Sequence, residues 1–262
     1  MLRIILRLLG AIFLVLILLV AGLALTMRAN FPETTLEVRA SAQGQAAADE
    51  SSILIFGGSR NTGLEVAKLL RARGDNVTAF VRPTSDRSEL EKLGVEFVVG
   101  DAMDLDSVRA AFVEHKYRAV FTNIGCLGCE LPSDYQGNAN IIQSAKQAGV
   151  QRFIFMTSIG VGDSKDAPPW ISRRILARTL PLKGQAEEEL RASGMDYTII
   201  RPGGLRSRPA TGNGVLIEDT DTFGFIFRED LAKLIVACLD DPRAINKTLT
   251  AVDSQRSWTW SD

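Results

Sequence analysis

The sequence predicts a doubly wound α/β fold built on a parallel sheet, and three observations carry that reading. From Ile53 onward, short apolar runs alternate with segments of helical period. The runs are continuous rather than alternating in polarity, which is the pattern of strands buried on both faces. Glycines close the helical segments, as at Gly74 and Gly149, where a left-handed residue commonly ends a helix. Right-handed crossovers between such strands put helices on both faces of the sheet. The ligand crevice of that architecture lies at the carboxyl ends of the strands.

Taken in order, Ile53–Phe56 reads as the first strand and Gly63 to about Arg73 as an amphipathic helix. Val77–Val81 is the next strand, followed by a short helix around Glu89–Leu93. Val95–Val99 and a helix over Asp106–Glu114 form the third unit. Ala119–Asn123 pairs with a helix over Tyr135–Ala148, and Phe153–Thr157 with a helix from about Leu182 to Ser193. Tyr197–Ile200, a helix over Glu229–Leu239 and a final strand, Thr248–Val252, complete the pattern. Residues 53–253 are thus expected to form one domain, and residues 254–262 a tail that reads as an appendage.

Ahead of the domain, the run from Leu8 to Thr26 is apolar throughout. It is long enough to cross most of a hydrocarbon core of ~30 Å at ~1.5 Å per residue. Residues 1–27 therefore predict a transmembrane anchor, making the chain a single-pass membrane protein in contact with lipid. The run exceeds the apolar region of a cleavable signal peptide, which is the rival reading. Arg3 and Arg7 favour a cytoplasmic N-terminus, whereas use of a cytosolic dinucleotide favours the opposite orientation, so the side of the membrane stays open. Residues 28–52, small and polar with Pro32, read as a flexible linker.

Composition removes several function classes. A formal net charge of -1 offers no basic surplus for a nucleic-acid partner. Three cysteines and the single histidine, His115, supply neither a disulfide framework nor a histidine-based zinc site, so no metal is expected. His115 itself is expected at a helix end beside Lys116.

The loop after the first strand reads Gly57-Gly-Ser-Arg-Asn-Thr-Gly63. It follows a strand and opens a helix, where backbone N–H groups and the helix dipole receive a pyrophosphate. Gly57 is expected to make the tight turn, and Gly63 to let the helix pack closely. Ser59, Arg60, Asn61 and Thr62 complete this dinucleotide-binding (Rossmann) loop, although the middle glycine of the usual fingerprint is missing. The second strand ends in Arg82, where NAD-specific proteins carry an acid for the ribose 2′-hydroxyl. An arginine there, with Arg60 in reach, attracts a 2′-phosphate instead. NADP(H) rather than NAD(H) is therefore the expected cofactor.

Four further stretches match in order and spacing: VVGDAMD (Val98–Asp104), DYQGNANIIQSAKQAGVQRFIFMTSIGVG (Asp134–Gly162), KGQAEEELRASGMDYTIIRPGGL (Lys183–Leu205) and REDLAKLIVACLDDP (Arg228–Pro242). With the loop and Arg82, they make the chain resemble the atypical, NmrA-like short-chain dehydrogenase/reductase group of NAD(P)H-binding proteins over nearly all of Ile53 to Val252. The resemblance implies Asp101 and Ala102 near the adenine, and Asn123, Ile124 and Gly125 along the nicotinamide ribose. It implies Pro202, Gly203 and Gly204 at the carboxamide, with Thr157 and Ser158 on the crevice floor.

Catalysis in related dehydrogenases uses a Tyr-x-x-x-Lys pair, in which the lysine holds the ribose and lowers the tyrosine pKa. Lys183 resembles that lysine, and Ser158 the serine that holds the substrate oxygen. The tyrosine position is Thr179, whose hydroxyl cannot exchange protons near neutral pH. The leading reading is an NADPH-dependent reductase of an unidentified small molecule, with an anchor that suits a lipophilic one, and with Ser158 and Lys183 as the catalytic candidates. A non-catalytic NADP(H) sensor and an assembly factor docked on a membrane complex are the alternatives.

Three segments lie outside this scheme. Cys126-Leu-Gly-Cys129 stands at the crevice mouth and can be a redox pair, although two small loop-lining thiols are the plainer reading. Ser164–Arg178 carries Trp170 with Arg173, Arg174 and Arg178, and suits either a lid or lipid-facing surface, or a helix covering the sheet. Thr211–Thr222 reads as a flexible loop on the substrate side.

Overall fold

Strand β1 (Ser52–Phe56) shows how the sequence pattern becomes a layered fold. Ile53 and Ile55 face one way and pack with Val66 and Leu70 of α2 (Asn61–Arg73) and with Leu231 and Ile235 of α8 (Arg228–Asp240). Leu54 and Phe56 face the other way, against Val108, Ile141 and Leu190. Those three come from α4 (Leu105–Ala110), α5 (Gln136–Gln147) and α7 (Leu180–Arg191). Successive side chains of a strand point to opposite faces, so a run apolar at every position needs a helical layer on each side. The computed structural model describes residues 7, 9–18, 52–113, 115–130 and 132–259.

The main sheet has eight strands in the order β3-β2-β1-β4-β5-β6-β10-β8. Strands β2 (Val77–Val81), β3 (Glu96–Val99), β4 (Tyr117–Thr122), β5 (Arg152–Met156), β6 (Asp196–Pro202) and β10 (Lys247–Asp253) run parallel to β1. Only β8 (Gly214–Ile217) is antiparallel, against β10. Strand order reverses between β1 and β4, and such a reversal opens a crevice at the strand ends. Buried Arg152 links the layers: its guanidinium donates to the carbonyls of Cys238 (2.6 Å) and Leu239 (3.3 Å) at the end of α8.

Several expectations need correction. Among the described residues no helix is long and apolar enough to cross a membrane. Residue 7 and residues 9–18 are helical, as α1. The single-pass membrane placement and its lipid contact are therefore withdrawn. Residues 1–6, 8 and 19–27 of the expected anchor, and residues 28–51 of the expected linker, lie outside the described residues.

The segment expected as a flexible substrate-side loop is tied down and contains β8. The backbone N–H groups of Thr211 and Gly212 donate to Asp230 at 2.7 and 3.0 Å, and the Thr211 hydroxyl donates to Asp253 at 2.8 Å. The helix after β3 ends at Ala110, so His115 does not cap it; its ring lies 6.0 Å from that of Tyr117. The basic segment forms only α6 (Trp170–Ile175), which buries none of its residues and so does not cover the sheet. Residues 254–262 contribute β11 (Ser257–Thr259), which pairs with β9 (Thr222–Phe227). With β7 (Gly204–Arg206), these strands form a second, three-stranded sheet. Helix α3 (Ser88–Lys92) lies between β2 and β3, and short 3-10 turns span Gly162–Ser164 and Pro242–Ala244.

Candidate functional site

The glycine loop at the end of β1 is shaped by contacts that leave no room for a Cβ at Gly57 or Gly63. Gly57 adopts φ +89°, a conformation costly for any residue with a Cβ. A Cβ there would also strike the side-chain amide of Asn123. One at Gly63 would strike the carbonyl of Gly57, so the first turn of α2 sits directly on the loop. Asn123, just past β4, locks this arrangement. Its Nδ2 faces the carbonyls of Phe56 (2.8 Å) and Gly57 (3.2 Å), and its Oδ1 accepts from the Gly63 N–H (3.3 Å). The N-cap residue of α2, Arg60, makes no side-chain cap hydrogen bond, so apart from the Gly63 N–H the first-turn N–H groups and the positive dipole end stay available to the crevice.

The crevice is a cleft of about 420 Å³. It is lined by Gly57, Ser59, Arg60, Asn61, Arg82, Asp101, Ala102, Asn123, Ile124 and Gly125, together with Phe80, Ser85, Met103, Cys126, Cys129 and Ser133. Helix α5 holds two of its loops through buried asparagines. Asn138 donates to the carbonyls of Asp134 (3.0 Å) and Ile124 (3.4 Å) and accepts from Thr122 (2.9 Å). Asn140 donates to the carbonyl of Ala102 at 2.9 Å. Asp101 accepts from the Met103 N–H at 2.9 Å, closing the turn that presents Ala102. Arg60 and Arg82 are exposed, and among the described residues neither guanidinium has an ion pair or a side-chain hydrogen bond.

The other residues singled out from the sequence are not among those that line the cleft. Thr62 is buried beneath the loop, and its hydroxyl lacks a partner among the described residues. The Thr157 hydroxyl donates to Glu187 at 2.7 Å, and the Ser158 hydroxyl to the carbonyl of Ile159 at 2.9 Å. Pro202 ends β6, while Gly203 and Gly204 pack so closely on β9 that a Cβ would meet Gly224 or the Phe225 ring. Lys183 pairs with the buried carboxylate of Asp134 at 3.0 Å. The Thr179 hydroxyl donates to the Leu176 carbonyl at 3.3 Å and is buried, so it cannot serve as a proton donor in the cleft.

Sequence reasoning missed three groups. Asp134 lay inside a matched stretch, but its pairing with Lys183 had no local signal. Glu187 is fully buried and accepts from Thr157, from Arg201 twice (2.7 and 3.1 Å) and from Arg191 (3.0 Å). Arg201 inside an apolar strand was the available clue, because a buried guanidinium must find its acceptors within the fold, here a carboxylate. Cys126 and Cys129, read as two small thiols, are joined as a disulfide with Cα atoms 5.6 Å apart.

These features fit a dinucleotide. A Cβ fits at neither Gly57 nor Gly63 of the cradle, the N-cap residue supplies no side-chain cap to the helix end above it, and among the described residues two guanidinium groups in the cleft lack partners. A strand, glycine loop and helix at the reversal of a parallel sheet define a nucleotide-binding protein of the Rossmann class. The chain belongs to the NAD(P)H-binding family, whose pattern matches residues 57–242, in its NmrA-like, atypical short-chain dehydrogenase/reductase branch.

Its relatives include a protein named as the uncharacterized sugar epimerase YhfK of Bacillus subtilis (strain 168). The two are 31% identical over 200 residues, covering 74% of this chain and 91% of that one. The NAD(P)H azoreductase of Xenophilus azovorans is 30% identical over 151 residues, 58% of this chain and 47% of the azoreductase. Among solved structures, the anaerobilin reductase ChuY of Escherichia coli O157:H7 superposes with a TM-score of 0.69 at 28% identity, covering 78% of this chain and 97% of that one.

Proposed function

We propose that the chain is an NADPH-dependent reductase of a small organic acceptor. The observation that carries the cofactor choice is the pair of unpartnered arginines, Arg60 and Arg82, in a cleft whose β2 end bears no acid. A 2′-phosphate satisfies both guanidinium groups, whereas a bare ribose leaves them unused. The glycine loop and the N-terminus of α2 take the pyrophosphate. Asp101 and Ala102 border the adenine, Asn123 to Gly125 the nicotinamide ribose, and Pro202 to Gly204 the carboxamide. When bound, the nicotinamide supplies hydride.

Lys183, held by Asp134, positions the ribose, and Ser158 turns from the Ile159 carbonyl to hold the acceptor. Because Thr179 points its hydroxyl into backbone, the proton comes from water or from the substrate. Relatives named as azoreductase and anaerobilin reductase support reduction as the chemistry.

The test is acceptor-dependent loss of NADPH with purified full chain, using azo dyes, anaerobilin and unsaturated carbonyl compounds. The expected result is turnover that falls about 100-fold or more in Lys183→Met. Tight NADPH binding without acceptor-dependent loss would replace this reading with a non-catalytic NADP(H) sensor, the alternative that the buried Thr179 favours.

A further inference from the structure

The cleft carries one reactive group that hydride transfer leaves idle. Cys126 and Cys129 follow β4, are joined as a disulfide and line the same cleft as the glycine loop. Both are half-buried. The turn between them faces solvent: Leu127 is 62% exposed, and Gly128, at φ +89°, has open space where a Cβ would stand. The third cysteine behaves differently. Cys238 is buried in α8, and burial pushes its thiol up to about 12, which silences it as a nucleophile.

Two short links join the disulfide to the cofactor side. The Cys126 N–H donates to Oδ2 of Asp134 at 2.9 Å, and Oδ1 of the same carboxylate meets Lys183 Nζ at 3.0 Å. The Asp134 side chain is 1% exposed, so these two partners stand in for water. Gly125 packs on both groups, since a Cβ there would lie 2.7 Å from Asp134 Oδ1 and 2.9 Å from Lys183 Nζ. Backbone next to the bridge therefore touches the groups that face the ribose.

We propose that Cys126–Cys129 is a thiol–disulfide exchange site for an external dithiol, whose redox state sets dinucleotide affinity through Asp134 and Lys183. This rests on the cleft being the NADPH site. One thiolate of the dithiol attacks a cysteine sulfur, forming a mixed disulfide and expelling the other cysteine as thiolate. The second thiolate then attacks the dithiol sulfur of the mixed bond, closing the reagent's own disulfide and releasing the remaining cysteine. The dithiol gives up two electrons and two protons, and the two cysteines take them up as thiols.

Reduction opens the small ring, whose cysteines are 3 positions apart, and frees the backbone that presents the Cys126 N–H. The loop must then be ordered at the moment of binding, so the reduced protein binds the dinucleotide more weakly. Linkage requires the reciprocal effect: bound dinucleotide makes the bridge harder to reduce by the same factor.

The experiment counts alkylatable thiols in denaturant and measures NADPH affinity for the full chain, air-oxidised and after dithiothreitol. Of the three cysteines, one is expected to react before reduction and all three after it. NADPH affinity is expected to fall about fivefold or more on reduction. The double variant C126S/C129S should bind like the reduced protein and ignore dithiothreitol. Saturating NADPH should raise the dithiothreitol concentration for half-reduction by the same factor. Equal affinity in both states would overturn the coupling while leaving the cofactor reading intact. Three reactive thiols before reduction would overturn the exchange site itself. Failure to bind NADPH in either state would remove the cofactor reading and this proposal with it.

Discussion

Arg201 and Arg191 differ from Arg60 and Arg82 in one respect that separates architecture from function. The first two share the buried carboxylate of Glu187, and Arg201 also pairs with Asp163. The second two reach into the cleft with no carboxylate on either. A guanidinium buried in protein must be matched by the fold itself, because water is absent. One at a cleft mouth keeps its water until a ligand replaces it. The contrast teaches that saturated arginines hold this sheet together, whereas the unsaturated ones remain open to a ligand.

Breaking the saturated set should have the largest effect. Glu187→Ala removes the acceptor of four donated hydrogen bonds and leaves Arg201, only 3% exposed, with Asp163 and the Ser164 hydroxyl. A loss of about 3–5 kcal/mol in urea unfolding is expected. A loss within experimental error would mean that the cluster is not structural. Gly63→Ala comes next, because its Cβ would strike the Gly57 carbonyl. Overpacking of about 1–3 kcal/mol should appear together with weakened NADPH binding. Unchanged binding would detach the loop geometry from the cofactor.

The smallest effect is expected at the edge of the saturated set. Burial alone raises the Asp163 pKa, but the hydrogen bond and charge of Arg201 outweigh it, so the net shift is downward. A carboxyl depressed in the folded state contributes stability above its unfolded pKa and loses it as pH falls through the lowered folded value. Asp163 is 66% exposed, so solvent screening keeps the contribution small. Wild type and Asp163→Asn should therefore differ slightly at neutral pH and converge in acid. A gap that widens in acid would reverse the sign of this coupling.

Legibility followed the same division between regions. Strands β1, β2, β4, β5 and β6 were readable because both faces are largely buried and their sequences mostly apolar, whereas the edge strand β3, with Glu96 and Val99 exposed, was read from its apolar run alone. Strands β7, β8 and β11 are short, and β9 carries Gly224 at its centre, so their stretches read as loop and tail. The glycine loop was visible because backbone geometry constrains residue type at Gly57 and Gly63. Asp134 with Lys183, and Glu187 with Arg201, were not, since each pair joins distant segments. Of the three successive glutamates Glu187, Glu188 and Glu189, only Glu187 is buried, and the helical period alone does not choose it. The Cys126–Cys129 bridge needed the Cα separation that only the folded loop supplies.

The most direct measurement is titration of the purified chain with NADPH and with NADH, for wild type and Arg82→Asp. The account expects wild type to favour NADPH. In Arg82→Asp, NADPH affinity should drop by about 10- to 100-fold, NADH affinity should hold, and stability should stay within about 0.5 kcal/mol. Equal affinity for the two nucleotides in wild type, unchanged by the substitution, would contradict the claim that these unsaturated arginines await a 2′-phosphate.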